Sequence, residues 1–311
     1  MEIKKLTDPK GLRKFVYGLR GLFVSLILGP TLLLANGVQI VSLPVRLFSQ
    51  RAFRKIMRFG ANLWWGWCVL WAEKLHRTKV IISGDDVPER ENTIVVANHV
   101  EMTDIPVIFA LARRKKRLGD LKWFVKDIVK YVPGAGWGLL FLDCLFVKRD
   151  WTADREKINR VFRKILQHRV PLWLISFVEG TRLKPSKLLL SNSYIEKLKL
   201  PPLKYVMMPR TKGFVASVQS LRGHIDAVYD LTIGYIDGVP TLWQWIKGSA
   251  KRAHLHVRRF AVAELPEDAE ALTAWLIERF QEKDRLLEHY YKYGMFPQGS
   301  SLKLEPLSLR Q

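Results

Sequence analysis

The chain has 311 residues, 48% of them apolar, which allows one large domain or two modest ones and excludes the disordered and fibrous classes. Its 51 Lys and Arg against 29 Asp and Glu leave a net charge of +22, which selects anionic partners: nucleic acid, an acidic membrane surface or phosphorylated substrates. Two cysteines, Cys68 and Cys144, each inside an apolar run, exclude a disulfide framework and point to a reducing compartment, and the eleven tryptophans favour a membrane–water interface.

In chain order, residues 1–20 are basic (Lys4, Lys5, Lys10, Arg13, Lys14, Arg20), and Gly21 to Val45 then runs without a charged side chain. That length suffices for a membrane-crossing helix, but Pro30, Asn36-Gly37 and Pro44 interrupt it. Basic residues flank both ends (Arg46, Arg51, Arg54, Lys55 and Arg58 follow), so a re-entrant hairpin or tilted anchor satisfies the positive-inside rule better than a simple crossing. A signal peptide fits poorly, because the apolar run is too long and lacks a small-residue cleavage site. The next apolar stretch, Phe59 to Ala72, carries Trp64, Trp65, Trp67 and Trp71 and is too short to span. It reads as an interfacial helix, with a core helix covering the next domain as the alternative.

From residue 78 the pattern alternates. Short β-branched runs predict strands at 80–83, 93–97, 123–125, 145–147, 172–177, 231–236 and 255–262. Helical patterns fall near 103–116, 154–168, 211–222 and 240–250, and a last amphipathic helix over about 267–291 puts Leu272, Trp275, Leu276, Phe280 and Leu287 on one face. This is an α/β pattern: a mixed, largely parallel sheet flanked by helices, with an N-terminal membrane-anchoring helical segment. The division expected is 1–75 for the basic N-terminus and anchor, 76–297 for the α/β domain and 298–311 for a flexible tail.

Four short segments could carry chemistry. The strand at 93–97 ends in Asn98-His99, and Asp104 follows five residues after the histidine, with Thr103 as a plausible helix cap. At such a corner a carboxylate can hold one imidazole nitrogen while the other takes a proton; the bland reading is a capping Asp beside a surface His. Phe177-Val178-Glu179-Gly180-Thr181-Arg182 follows the strongest strand, and its glycine permits close backbone approach while its arginine can fork onto a phosphate. An apolar strand at 206–208 runs into Pro209, Arg210 and Lys212, and Gly138 precedes Phe146-Val147-Lys148-Arg149. Each alone could be a solvated loop or edge. Jointly they place a general base and several cations after apolar strands, where α/β sheets bind ligands.

In these residues the chain resembles the glycerolipid acyltransferases, the lysophosphatidate acyltransferases and their lysocardiolipin- and lysophosphatidylinositol-directed relatives. Asn98, His99 and Asp104 match the family's Asn-His-x4-Asp block; Gly138 and Phe146–Arg149 match the second; residues 177–182 match the third in full; Pro209 matches the fourth, and Pro-Arg-Thr-Lys-Gly-Phe is similar to the lysocardiolipin-type branch. The blocks occur in order over residues 98–214. The resemblance implies transfer of a fatty acyl group from acyl-CoA or acyl carrier protein to the sn-2 hydroxyl of a lysophospholipid, with 1-acyl-sn-glycerol 3-phosphate as the default acceptor. It implies His99 as base and Asp104 as its orienter, and Arg149, Glu179, Gly180, Thr181, Arg182, Pro209, Arg210 and Lys212 around the substrate. It implies direct attack, no metal or organic cofactor, and both greasy substrates entering from the bilayer. No Gly-x-Ser-x-Gly elbow is present, which agrees with direct attack. Glu101, close to an anionic substrate, is a departure. The chain length suggests a bacterial cytoplasmic membrane with the site facing the cytoplasm, and the endoplasmic reticulum is the alternative.

Competing readings are nucleic-acid binding through Arg113-Arg114-Lys115-Lys116-Arg117, a catalytically silent membrane scaffold, and metal hydrolysis through His254 and His256. The first is disfavoured because those cations follow the catalytic corner and suit lipid or coenzyme phosphates. The second lacks a missing catalytic residue, and the third lacks a third ligand.

Overall fold

The computed structural model describes residues 3–148 and 150–297; Arg149 and the expected tail, 298–311, lie outside the described residues. The chain begins with helix α1, Leu12–Val41, turns through a short α2, Val45–Phe48, and returns in α3, Gln50–Leu70, extended by a wider turn over Trp71–Leu75. The Phe23 and Trp71 rings lie 6.2 Å apart, so α1 and α3 form an antiparallel hairpin. Pro30 does not break α1. A proline removes one backbone donor, and here the Thr31 hydroxyl donates to the neighbouring Ile27 and Leu28 carbonyls, adding side-chain bonds to the same turn. Helix α3 starts nine residues earlier than the tryptophan-rich run suggested, with Ser49 capping the Ala52 amide. One face, including Phe53, Met57, Ala61, Trp65 and Val69, is buried, while Phe59, Leu63 and Trp67 are exposed on the other. It is therefore a core-covering helix with an apolar outer face.

The α/β domain follows as β1 (Lys79–Gly84), β2 (Thr93–Ala97), α4 (Asp104–Arg114), β3 (Leu121–Lys126), α5 (Ala135–Phe141), β4 (Leu145–Val147), α6 (Trp151–Gln167), β5 (Trp173–Ser176), α7 (Pro185–Lys197), α8 (Thr211–Leu221), β6 (Ala227–Gly234), α9 (Leu242–Ile246), β7 (Arg252–Ala261) and α10 (Ala269–Tyr293). The seven strands form one sheet in the order β1-β7-β6-β2-β5-β3-β4, parallel throughout except for the antiparallel β6–β7 pair. All seven expected strands are present. Strand β2 is fully buried because both sheet faces are covered: Val95 and Ala97 join the core under α3 and α4, and Ile94 and Val96 join the core under α6, α8 and α10.

Two expectations fail. Residues 206–208 are not a strand. Their amides are taken by side chains: Lys204, Tyr205 and Val206 by Asp284, Met207 by Glu179 and Met208 by Ser191, so no neighbouring strand is needed. Thr103 does not cap α4 with its side chain; its hydroxyl donates to the Pro240 carbonyl at 3.1 Å.

Candidate active site

The site is assembled where β2 and β5 end side by side. Both strands are parallel and paired through Thr93–Trp173 to Val96–Ser176, so Asn98-His99 and Phe177–Arg182 leave the same edge of the sheet. Asn98 fixes the first segment by exchanging two hydrogen bonds with the backbone of Ile233 on β6, at 2.8 and 3.0 Å. The amide of His99 donates to Glu179 Oε1 at 2.9 Å, and its carbonyl accepts from the Leu183 amide at 2.8 Å. Its ring stacks on Phe177 with centroids 4.0 Å apart. Thus the histidine is held by backbone on both sides and by a ring face before its own side-chain bond is counted.

That bond runs from His99 Nδ1 to Asp104 Oδ2, 3.0 Å long. The same oxygen accepts the amides of Val100 and Glu101 at 2.7 and 3.1 Å, and Oδ1 accepts the Tyr235 hydroxyl at 2.8 Å. Asp104 has no solvent-exposed surface, and each of its oxygens has a donor. A carboxylate only accepts, so it fixes Nδ1 as the protonated nitrogen and leaves Nε2 as the basic atom of the ring. Burial and the Asp104 charge raise the Tyr235 hydroxyl well above its ordinary value, so it stays a donor. Tyr235 escaped the sequence reading; its only signal was a polar aromatic directly after a strand end.

Glu179 was expected to face the substrate phosphate. The structure places it beneath the loop, 4% exposed, with Oε1 on the His99 amide and Oε2 on the Met207 amide at 3.0 Å. Burial pushes its carboxyl up to about 8 against the opposing pull of those two amides. It therefore ties three of the four sequence blocks together and is a positioning residue. Gly180 follows with φ +71°, and a Cβ there would sit 2.9 Å from Arg210 Cδ, so only glycine lets the Arg210 side chain cross the loop. The Arg210 amide donates to the Val178 carbonyl at 2.7 Å, which clamps the Pro209 segment to the same loop.

Around this corner the remaining expected residues separate. Arg210 and Lys212 are exposed at the start of α8, and Pro209 is buried behind them. Arg182 forms an ion pair with Glu101, so the unexpected acid of the first block neutralises an arginine of the third. Lys187 of α7 donates to the Thr181 hydroxyl. His99, the Glu179–Arg182 loop, Arg210 and Lys212 all line one cavity of about 2310 Å³, which runs on between α1, α3 and α5. The run at 113–117 does not contribute: Arg113 and Arg114 pair with Glu73, Lys115 with Asp86, Lys116 with Glu89 and Arg117 with Asp120. His254 and His256 pack their rings against Tyr290 and Phe296, and His256 meets the Ser83 hydroxyl at 3.1 Å.

A histidine–aspartate pair, a glycine-bearing loop beside it and a large cavity meet a matching record among known proteins. The family model described as "Acyltransferase" matches residues 79–236, and that described as "Acyltransferase C-terminus" matches 244–309. The chain belongs to the acyltransferase family. This acyltransferase is 35% identical over 263 residues to the probable 1-acyl-sn-glycerol-3-phosphate acyltransferase 5 of Arabidopsis thaliana, covering 83% of the chain and 69% of that relative. It is 32% identical over 289 residues to the human 1-acyl-sn-glycerol-3-phosphate acyltransferase gamma, covering 91% of the chain and 76% of the relative. The crystal structure of the 1-acyl-sn-glycerophosphate acyltransferase PlsC from Thermotoga maritima shares the fold, with a TM-score of 0.53 at 17% identity over 89% of this chain and 97% of that one. The enzyme is thus an acyltransferase with a mixed, mostly parallel α/β core and a long apolar N-terminal helix.

Proposed function

We propose that this acyltransferase moves a fatty acyl group from a thioester, acyl-CoA or acyl carrier protein, to the free sn-2 hydroxyl of 1-acyl-sn-glycerol 3-phosphate, giving phosphatidic acid. The observation that carries this reading is the His99–Asp104 pair, at 3.0 Å, with His99 on the wall of a cavity of about 2310 Å³ that Arg210 and Lys212 also line. The names of its relatives support the acceptor. His99 Nε2 removes the hydroxyl proton as the oxygen attacks the thioester carbonyl. The C–O bond forms, the C–S bond breaks, and the departing thiolate takes the proton from Nε2. Asp104, oriented by the Tyr235 hydroxyl, stabilises the imidazolium between those two transfers. The exposed Arg210 and Lys212 take the acceptor's phosphate, with Gly180 giving its backbone close approach.

Helix α1 is the one helix among the described residues long and apolar enough to cross a membrane, with a mean hydropathy of 1.8. It returns through α3, so we place this hairpin as an anchor lying in one leaflet, with the basic residues at its two ends in the headgroup layer and the site on the cytoplasmic side. Both substrates then reach His99 from the lipid phase.

The test is mass spectrometry of products from the purified enzyme given lysophosphatidate, lysophosphatidylinositol, lysophosphatidylglycerol and lysocardiolipin, each with both thioester donors. Phosphatidic acid is the expected main product. His99→Ala should lower kcat by about 10²–10⁴-fold with little change in KM. Full activity in that variant excludes the mechanism, and a preference for another acceptor reassigns the headgroup alone.

A further inference from the structure

We infer that the segment from Ile128 to Leu142, which follows the first sequence block and contains Gly138 of the second, is a second lipid-inserted element: a wedge whose outer side lies in the acyl region beside α1 and whose inner side walls the cavity. This rests on the membrane reading of α1. The sequence of the wedge is unusual for a protein surface. From Tyr131 to Leu142 there is no charged or amide side chain: Tyr-Val-Pro-Gly-Ala-Gly-Trp-Gly-Leu-Leu-Phe-Leu. A surface helix facing water carries polar residues on its outer stripe. Helix α5 does not. Its inner stripe, Ala135, Gly138 and Leu139, lines the cavity, and its outer stripe is Trp137 and Leu140. Leu140 is 53% exposed, and the turn before the helix exposes Ile128 and Tyr131 to 66% and 68%.

The occupant of this apolar face follows from what it adjoins. A Cβ on Gly134 would lie 2.9 Å from Leu32 Cδ2, and one on Gly138 would lie 3.6 Å from Asn36 Nδ2, so α5 packs directly against the last third of α1. Leu33, whose Cδ2 lies 4.0 Å from the same point on Gly134, is 54% exposed, and Leu34 beside it is 69% exposed. The two apolar surfaces are therefore continuous, and whatever solvates α1 at that depth solvates the wedge. Its rim has the composition of a bilayer interface: Lys126 is exposed, and Lys130 Nζ sits 5.0 Å from the Tyr131 ring centroid. A protein partner would bury the same face but would have to cover α1 as well; lipid covers both at once.

The consequence is a passage whose two walls, α1 and the wedge, both stand in lipid. A lysolipid can move from the bilayer towards His99 without exposing its chain to water. The test uses the full chain with Cys68 and Cys144 changed to alanine and one fluorophore-labelled cysteine at a time: Leu34→Cys on α1, Tyr131→Cys on the wedge, and Arg160→Cys on the exposed side of α6. Vesicles of phosphatidylcholine and phosphatidylglycerol carry lipids brominated in the acyl chain. Labels at 34 and 131 should both lose about half of their emission, with 160 unchanged. Quenching at 34 without 131 overturns the wedge and leaves the anchor. Quenching at neither overturns both. Independently, Ile128→Glu with Leu140→Glu should cut acylation of vesicle-borne acceptor about tenfold and spare acceptor dissolved in detergent micelles, and an equal loss in both marks a packing role and overturns the wedge.

Discussion

Glu179 holds the site together with two hydrogen bonds. Its oxygens take the His99 and Met207 amides, so one carboxylate sets the distance between His99 and the Pro209-Arg210 segment. Burial places its carboxyl at about 8, whereas the unfolded chain releases that proton near 4.5. Between these values the native state binds more protons than the unfolded state, so this group's contribution to stability is complete below pH 4.5 and is lost as pH rises through 8. The urea midpoint of the wild type should therefore fall between pH 5 and pH 8 more steeply than that of Glu179→Gln, whose side chain does not titrate. Parallel curves would place the carboxyl at its ordinary value. At this scale the sequence was informative about residue types and silent about direction. It supplied His99 and Asp104 as a pair, but a motif cannot say that Glu179 points down into the protein and Arg182 sideways onto Glu101.

Among the elements, α10 ties a strand of the sheet to the segment that leads into the site. Lys283, fully buried, donates to Asp230 and to the Leu231 carbonyl of β6. Burial alone would raise Asp230, but Lys283 and Arg258 hold it below the usual carboxylate range. The next residue, Asp284, turns the other way and accepts the amides of residues 204–206, directly before the segment that carries Arg210. Asp284→Ala leaves three inward-facing amides without an acceptor. We expect it to cost about 3 kcal/mol and to raise KM for the lysolipid more than it lowers kcat, with Asp284→Asn restoring part of both. Denaturation and steady-state kinetics on the two variants decide this; a pure stability loss with unchanged KM would remove α10 from the site. The same element explains what could be read and what could not. Strands such as β2 and β5 were legible because burial on both faces demands β-branched runs. The segment at 206–208 is apolar and imitates a strand, yet its amides are satisfied by carboxylates and a serine elsewhere in the chain, a long-range fact with no local signal. The short α5 escaped for a related reason: a helix apolar on both sides has no amphipathic period to detect.

For the whole molecule, the question is where a net charge of +22 goes. The densest run, at 113–117, is spent on ion pairs within the domain, so it cannot be the patch that attracts anions. Cations without such partners lie at the two ends of the helical hairpin instead: Lys10 before α1 with Arg13 and Lys14 in its first turn, and Arg51 and Lys55 in the first turns of α3. The hairpin lies along the domain. Near Gly21 it packs on Trp243 and Lys247 at α9, and near Leu32 it packs on Gly134 at α5, a span of about 16 Å along the axis. A helix flanked by the domain at both points does not stand alone across a bilayer, and its two basic ends can meet headgroups of one leaflet while the apolar faces of α1, α3 and the wedge enter below them. The two forces then separate by salt. Exposed cations are screened over about 8 Å at physiological ionic strength, and buried apolar area is not. Flotation with phosphatidylglycerol vesicles should show affinity falling severalfold from 50 mM to 500 mM salt towards a plateau, which matches the salt-independent affinity for phosphatidylcholine vesicles. Complete release at high salt would mean that the apolar faces stay outside the bilayer and that the charge alone holds the enzyme at the surface.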